Sequence, residues 1–70
     1  MDNKEMMEIT VRGLIRTMLE KACVFGMSKE LMQYIENMRK VVEDLVEFWN
    51  LPDFLLAEMT NQIKLIEEEF

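Results

Sequence analysis

The sequence predicts an all-α protein of three antiparallel helices, an up-down-up hairpin or bundle that dimerisation completes. Apolar residues recur at helical spacing in three segments, at about residues 4–25, 29–49 and 53–69, and short breaks at 26–28 and 50–53 separate them. The chain has 70 residues, so residues 1–70 are expected to form one helical domain. A domain this small buries only about 60% of its unfolded surface and is marginally stable alone, which favours help from a partner chain.

The first segment has one main apolar stripe and a charged far face. Charged residues four apart, from Glu8 to Glu20, can form ion pairs on the solvent side. Gly13 lies in the middle of the helix, where glycine costs up to ~1 kcal/mol relative to alanine. Either another helix approaches closely at Gly13, or the glycine is merely tolerated. The apolar stripe comprises Met7, Val11, Leu14, Met18, Ala22 and Phe25, with Ile15 and Leu19 beside it.

The first break, Gly26-Met27-Ser28, contains residues that end one helix and start the next. Gly26 can adopt the left-handed conformation that ends a helix, and Ser28 can accept a hydrogen bond from a free backbone N–H of the next helix. Met27 and Met32 occupy the two positions of a hydrophobic staple around that cap.

The second segment has more apolar surface than one neighbouring helix can cover. Its apolar arc spans about 200° of the helix, and one antiparallel neighbour covers roughly half of that. We expect the first and third helices to cover part of the arc and a second chain the remainder; the alternative is a compact monomer that buries this helix on both sides. The arc comprises a central heptad-spaced stripe, Leu31, Ile35, Met38, Val42, Leu45 and Trp49. Met32 and Val46 widen this stripe on one side, and Tyr34, Val41 and Phe48 widen it on the other.

The second break and the third segment follow the same logic. Asn50 suits a helix end, Pro52 is tolerated only in the first turn of a following helix, and Asp53 places negative charge near its N-terminus. Phe54 and Leu65 fall nearly opposite the main apolar stripe, which indicates a second contact surface. That stripe comprises Leu55, Leu56, Met59, Ile63, Ile66 and Phe70.

Composition argues against several classes of function. The formal net charge of −6 disfavours binding to nucleic acid and to anionic membranes. Cys23 is the only cysteine and there is no histidine, so one chain has no disulfide, no Cys/His zinc site and no histidine base. A lone thiol fits a reducing compartment, and the sequence shows neither a signal peptide nor an apolar run of about 18 residues. We therefore expect a cytoplasmic protein without a cofactor or metal.

Carboxylates are numerous, and paired carboxylates can perform acid–base chemistry or bind a hard cation. However, Glu43, Asp44 and Glu47 fall on the polar arc of the second helix, and no loop has the spacing of a calcium site. A solvated face explains these carboxylates better. We therefore predict no catalytic residue and no metal ligand.

The order helix, Gly26-Met27-Ser28, helix resembles the small two-helix aspartyl-phosphate phosphatases of spore-forming bacteria. The signature of that family is Ser-Gln-x-Leu-Asp on the second helix. At the comparable distance this chain has Ile-Glu-Asn-Met-Arg, at residues 35–39, without the serine or the aspartate. Neither the activity nor its site residues carry over to this chain.

The sequence favours a small intracellular interaction protein, a regulator, inhibitor or adaptor, that docks an apolar helical face onto a protein partner and forms a homodimer. An assembly subunit of a larger helical complex is the alternative, and a phosphatase-like regulator that works with carboxylates is a third hypothesis. Eight methionines suit an adaptable surface, although most of them also fit the core stripes. The predicted partner or dimer interface comprises Gly13, Tyr34, Val41, Phe48, Trp49, Phe54 and Leu65.

Overall fold

The computed structural model describes residues 2–69, which form three helices and no strand. The helices are α1 (Asn3–Phe25), α2 (Lys29–Trp49) and α3 (Phe54–Glu69). The predicted all-α class with three helices is therefore confirmed. The helix ends differ from the predicted ones by one residue at most, because the breaks contain strong local stop and start signals.

Side-chain and backbone caps explain where the helices begin and end. The Oδ1 atom of Asp2 accepts a hydrogen bond of 2.7 Å from the Glu5 N–H and so caps α1, a role that we did not predict. The predicted Ser28 cap is confirmed, since its hydroxyl accepts a 3.2 Å hydrogen bond from the Leu31 N–H. Asn50 ends α2 in the left-handed conformation, with φ 52° and ψ 50°. These caps satisfy backbone groups that have no partner within the helix.

Two details of the breaks differ from the predictions. Gly26 has a positive φ of 66°, as expected, but its ψ of −173° lies outside the left-handed helical region. Its N–H donates to the Ala22 carbonyl at 2.8 Å and closes the last turn of α1. The third helix starts at Phe54, one residue later than predicted, so Asp53 directly precedes it and places its charge next to the N-terminus as expected. The Asp53 carbonyl accepts hydrogen bonds from the N–H groups of Leu56 and Ala57.

All three pairs of helices are in contact, and α1 packs more extensively against α2 and α3 than these two pack against each other. The molecule measures 37 × 18 × 17 Å, and the longest dimension matches the ~35 Å length of a 23-residue helix such as α1. No polar or charged side chain within residues 2–69 is buried. The core is a single apolar cluster that comprises Val11, Ile15, Met18, Ala22, Leu31, Ile35, Val42, Val46, Leu51, Leu55, Met59, Ile63 and Ile66.

The buried faces of α1 and α2 are rotated by roughly 30° from the predicted stripes. Ile15 and Val46, which we placed beside the stripes, are fully or almost fully buried. Phe25, predicted to belong to the core, is exposed, and Met38 and Leu45 are only partly buried. A helix that packs against two neighbours buries the side chains that point between those neighbours. The predicted stripes assumed one neighbour for each helix and therefore missed this rotation. The predicted core position of Phe70 lies outside the described residues.

Alanine substitutions at the two glycines test how the backbone conformation at each position contributes to stability. Gly13→Ala should raise the free energy of unfolding by up to ~1 kcal/mol, because a Cβ at Gly13 would meet nothing within 4 Å and alanine is the better helix former. Gly26→Ala should lower it by about 1–3 kcal/mol, because φ at Gly26 is +66° and ψ lies where L-residues are strained. Urea denaturation of dilute samples without self-association, followed by circular dichroism, measures both changes. Destabilisation by both substitutions would contradict an open site at Gly13.

Candidate interaction surface

Several large apolar side chains are exposed, and most lie on one edge of a helix outside the core stripes. Single exposed apolar residues are common, whereas contiguous groups on a small acidic protein mark contact surfaces. The exposed set comprises Met6, Ile9, Val24, Phe25, Met27, Met32, Val41, Phe48, Phe54 and Leu65.

The longest group is a row on α2 that we call the α2 seam: Tyr34, Met38, Val41, Leu45 and Phe48. Its members alternate steps of four and three, which is the spacing of a helix-pairing stripe. Tyr34, Met38 and Leu45 are partly buried against the core, Val41 is 44% exposed and Phe48 is 82% exposed. Tyr34, Met38 and Leu45 therefore contact the core on one side, while Val41 and Phe48 face outwards.

Trp49 differs from the other predicted interface residues of α2. It is partly buried and packs against the core cluster, because it lies about 100° further round the helix than Phe48. The Phe48 and Trp49 rings meet edge to face, with centroids 5.7 Å apart and an angle of 73° between their planes. Trp49 thus contacts one edge of the Phe48 ring from within the chain, while most of that ring remains exposed.

On α1, small and apolar residues form a second row, the α1 strip: Met6, Thr10, Gly13, Thr17 and Val24. The Thr10 hydroxyl donates to the Met6 carbonyl at 2.9 Å, and the Thr17 hydroxyl donates to the Gly13 carbonyl at 2.8 Å. Both hydroxyl groups are therefore satisfied by their own helix. Because a Cβ at Gly13 would meet nothing within 4 Å, close approach by another helix of the same chain does not account for this glycine.

One of the two predicted interface residues of α3, Phe54, contacts a side chain of α1. The Arg12 guanidinium lies 5.1 Å from the centre of the Phe54 ring, a cation–π geometry that joins α1 to the start of α3. Arg12 also pairs with Glu8 at 3.4 Å. Phe54 remains 46% exposed, and Leu65 is exposed about three turns further along the same edge of α3. The contact between Arg12 and Phe54 was not predicted from the sequence, because only the packing of α1 against α3 brings these two residues together.

A cleft of about 310 Å³ lies between α2 and α3, on the edge of α2 away from the seam. Met27 and Met32, the predicted staple, both line it and both are exposed. The partly buried Arg39 also lines the cleft and forms no ion pair with any of residues 2–69. The remaining lining residues are Ile35, Glu36, Ile63 and Glu67.

The carboxylates and the thiol of the described residues are dispersed over the surface. Residues 2–69 contain no group of three or more Cys, Asp or Glu side chains placed to hold a metal ion. Cys23 is exposed, as are Glu36, Glu43 and Asp44. The one buried side-chain polar atom without a hydrogen-bond partner in this part of the chain is Oε1 of Gln62. None of the three helices, as far as they are described, has the length and apolarity needed to cross a bilayer.

Comparison with known proteins adds no relative to this picture. The chain matches no protein-family model, and no curated protein or solved structure is significantly similar to it.

The Arg12–Phe54 contact predicts a measurable coupling between α1 and α3. In a double-mutant cycle with Arg12→Gln and Phe54→Leu, we expect a coupling free energy of about 0.5–1 kcal/mol, because the guanidinium is attracted by the face of the ring. Urea denaturation of the four proteins measures it. Glu8→Gln with Phe54→Leu is the control cycle and should show a smaller coupling. Equal couplings in the two cycles would contradict a direct contact between Arg12 and the ring.

Proposed function

We propose that this protein is a small interaction module, a regulator, inhibitor or adaptor, that acts by docking the α2 seam onto another polypeptide and performs no catalysis. The observation that carries the proposal is a heptad-spaced apolar row in which Val41 and Phe48 are exposed and Tyr34, Met38 and Leu45 are only partly buried against the core. An aromatic anchor with aliphatic neighbours is the usual composition of an energetically important interface centre. The mode of recognition is helix against helix.

The proposal includes an antiparallel arrangement of α1 and α2. Only three residues connect these two helices, and helices in contact across so short a connection run antiparallel. Residues at equal distances from the connection then lie level, so Gly13 is level with Val41 and Met6 with Phe48. We take the α1 strip and the α2 seam to flank the same groove, so that a homodimer through this face would use the openness of Gly13.

The charges around the seam favour a protein partner. The net charge of −6 opposes binding to phosphate backbones and anionic lipids, whereas a polar rim around an apolar centre is common at protein interfaces. Rim charges steer association and select partners more than they add affinity. A structural subunit of a larger assembly would use the same face but would lack a stable free form, which distinguishes that alternative.

Site-specific photo-crosslinking in the cells that naturally express the chain tests the proposal. Phe48→p-benzoylphenylalanine and Val41→p-benzoylphenylalanine should each give discrete protein adducts, because both positions face outwards on the seam. The control is Lys64→p-benzoylphenylalanine, at an exposed position of α3. Adducts to a second copy and adducts to a different protein both support docking. Adduct yields at the two seam positions no higher than at position 64 would contradict the proposal.

A further inference from the structure

We propose that the partner seated on the α2 seam is a second copy of this chain, with the two α2 helices antiparallel and crossing at Val41. This inference rests on the proposed function and names the partner of the same surface. The seam is symmetric about its centre: Tyr34 and Phe48 each lie seven residues from Val41, while Met38 lies three residues before it and Leu45 four after it. Antiparallel pairing therefore brings aromatic against aromatic at both ends and valine against valine at the crossing.

The charges beside the seam select this orientation. Lys40 and Asp44 are exposed on the polar side of the seam, and neither forms an ion pair with another residue between 2 and 69. In an antiparallel pair that crosses at Val41, Lys40 of one copy and Asp44 of the other differ in height along the helix axis by only about 3 Å, so they can form an ion pair. The two-fold symmetry of the dimer produces a second, identical ion pair. In a parallel pair, Lys40 of one copy and Asp44 of the other would lie on opposite sides of the interface and could not pair. A foreign partner would need to match this pattern, whereas a second copy has it by symmetry.

Hydrogen bonding next to these charges fits the same orientation. The Gln33 Nε2 donates to the Asn37 Oδ1 at 3.0 Å, which orients the amide of Asn37 and leaves its Nδ2 group free to donate outwards. Asn37 lies within about one residue of the level of Asp44 of the second copy. A donor and a carboxylate therefore meet at the edge of the paired seams.

The area required for a stable dimer places the second copy against α1 as well. A standard interface buries about 800 Å² on each partner. The seam is about 21 Å long and about 10 Å wide, which is too small alone. At the level of the crossing, α1 presents Gly13, and the hydroxyls of Thr10 and Thr17 one turn to either side are bonded to their own helix. The α2 helix of the second copy therefore lies in the groove between α1 and α2 and covers both rows.

Disulfide trapping tests the orientation. The background is Cys23→Ser, since Cys23 is exposed and would otherwise react. Single-cysteine chains Tyr34→Cys and Phe48→Cys, mixed and mildly oxidised, should form the mixed disulfide and little of either homodisulfide. Val41→Cys alone should cross-link, and Met32→Cys, exposed on the opposite edge of α2, should not. Homodisulfides at 34 and 48 without the mixed product, or no cross-link at 41, would overturn the antiparallel pair.

A steric substitution at Gly13 tests the docking independently of the fold. Gly13→Gln should raise the dimer dissociation constant about tenfold or more by sedimentation equilibrium, because the added side chain occupies the groove. The helical content of dilute samples should not change, since a Cβ at Gly13 meets nothing in the monomer. Ala57→Gln, at an exposed position of α3, is the matched control and should leave the dissociation constant unchanged.

The outcomes separate the two proposals. A wild-type chain that stays monomeric at all concentrations, yet gives photo-adducts to a different protein at position 48, overturns the homodimer and leaves the proposed docking function in place. A monomer without seam-dependent adducts overturns both. A dimer weakened by Gly13→Gln, and trapped by the mixed disulfide, supports both.

Discussion

The burial of one apolar stripe from each helix is the interaction on which the rest of this structure depends. Within residues 2–69 no polar or charged side chain is buried, and the one ion pair, between Glu8 and Arg12, lies within a single helix. No buried hydrogen bond therefore fixes how each helix is rotated about its axis. Rotation follows from how the apolar side chains fill the space between α1, α2 and α3, and full burial of Ile15 is one result.

Local signals explain why the helices could be predicted and packing could not. Ser28, Asn50 and Pro52 act on the backbone within a few residues, so the sequence alone indicates where helices end. The conformation of Gly26 and the exposure of Phe25 depend on how α1 meets α2, and no local pattern contains that information. The contact between Arg12 and Phe54 joins residues far apart in sequence. Such pairs become evident only when the helices are packed together.

The candidate surface could be predicted in part, because the second helix has more apolar surface than its neighbours can cover. An apolar arc wider than one neighbour can cover identified Tyr34, Val41 and Phe48, and the structure leaves Val41 and Phe48 exposed. The arc alone could not assign Trp49, which packs against the core, because the assignment depends on a rotation of about 30°. The openness of Gly13 also required coordinates, since a mid-helix glycine has the same sequence signature whether its neighbour belongs to this chain or to another.

Overlap between the core and the α2 seam links folding to docking. Met38 and Leu45 take part in both the core and the seam. Each packs partly against the core cluster and partly faces the open side of the seam. A partner on the seam would complete their burial, so it would bind the folded chain and not the unfolded one. Binding of this kind stabilises the fold by about 2.7 kcal/mol at a partner concentration one hundred times the dissociation constant. A single core in a chain of this length supplies only about 3–5 kcal/mol. The two terms are of similar size, so a partner on the seam would raise the free energy of unfolding by an amount comparable to that of the core itself.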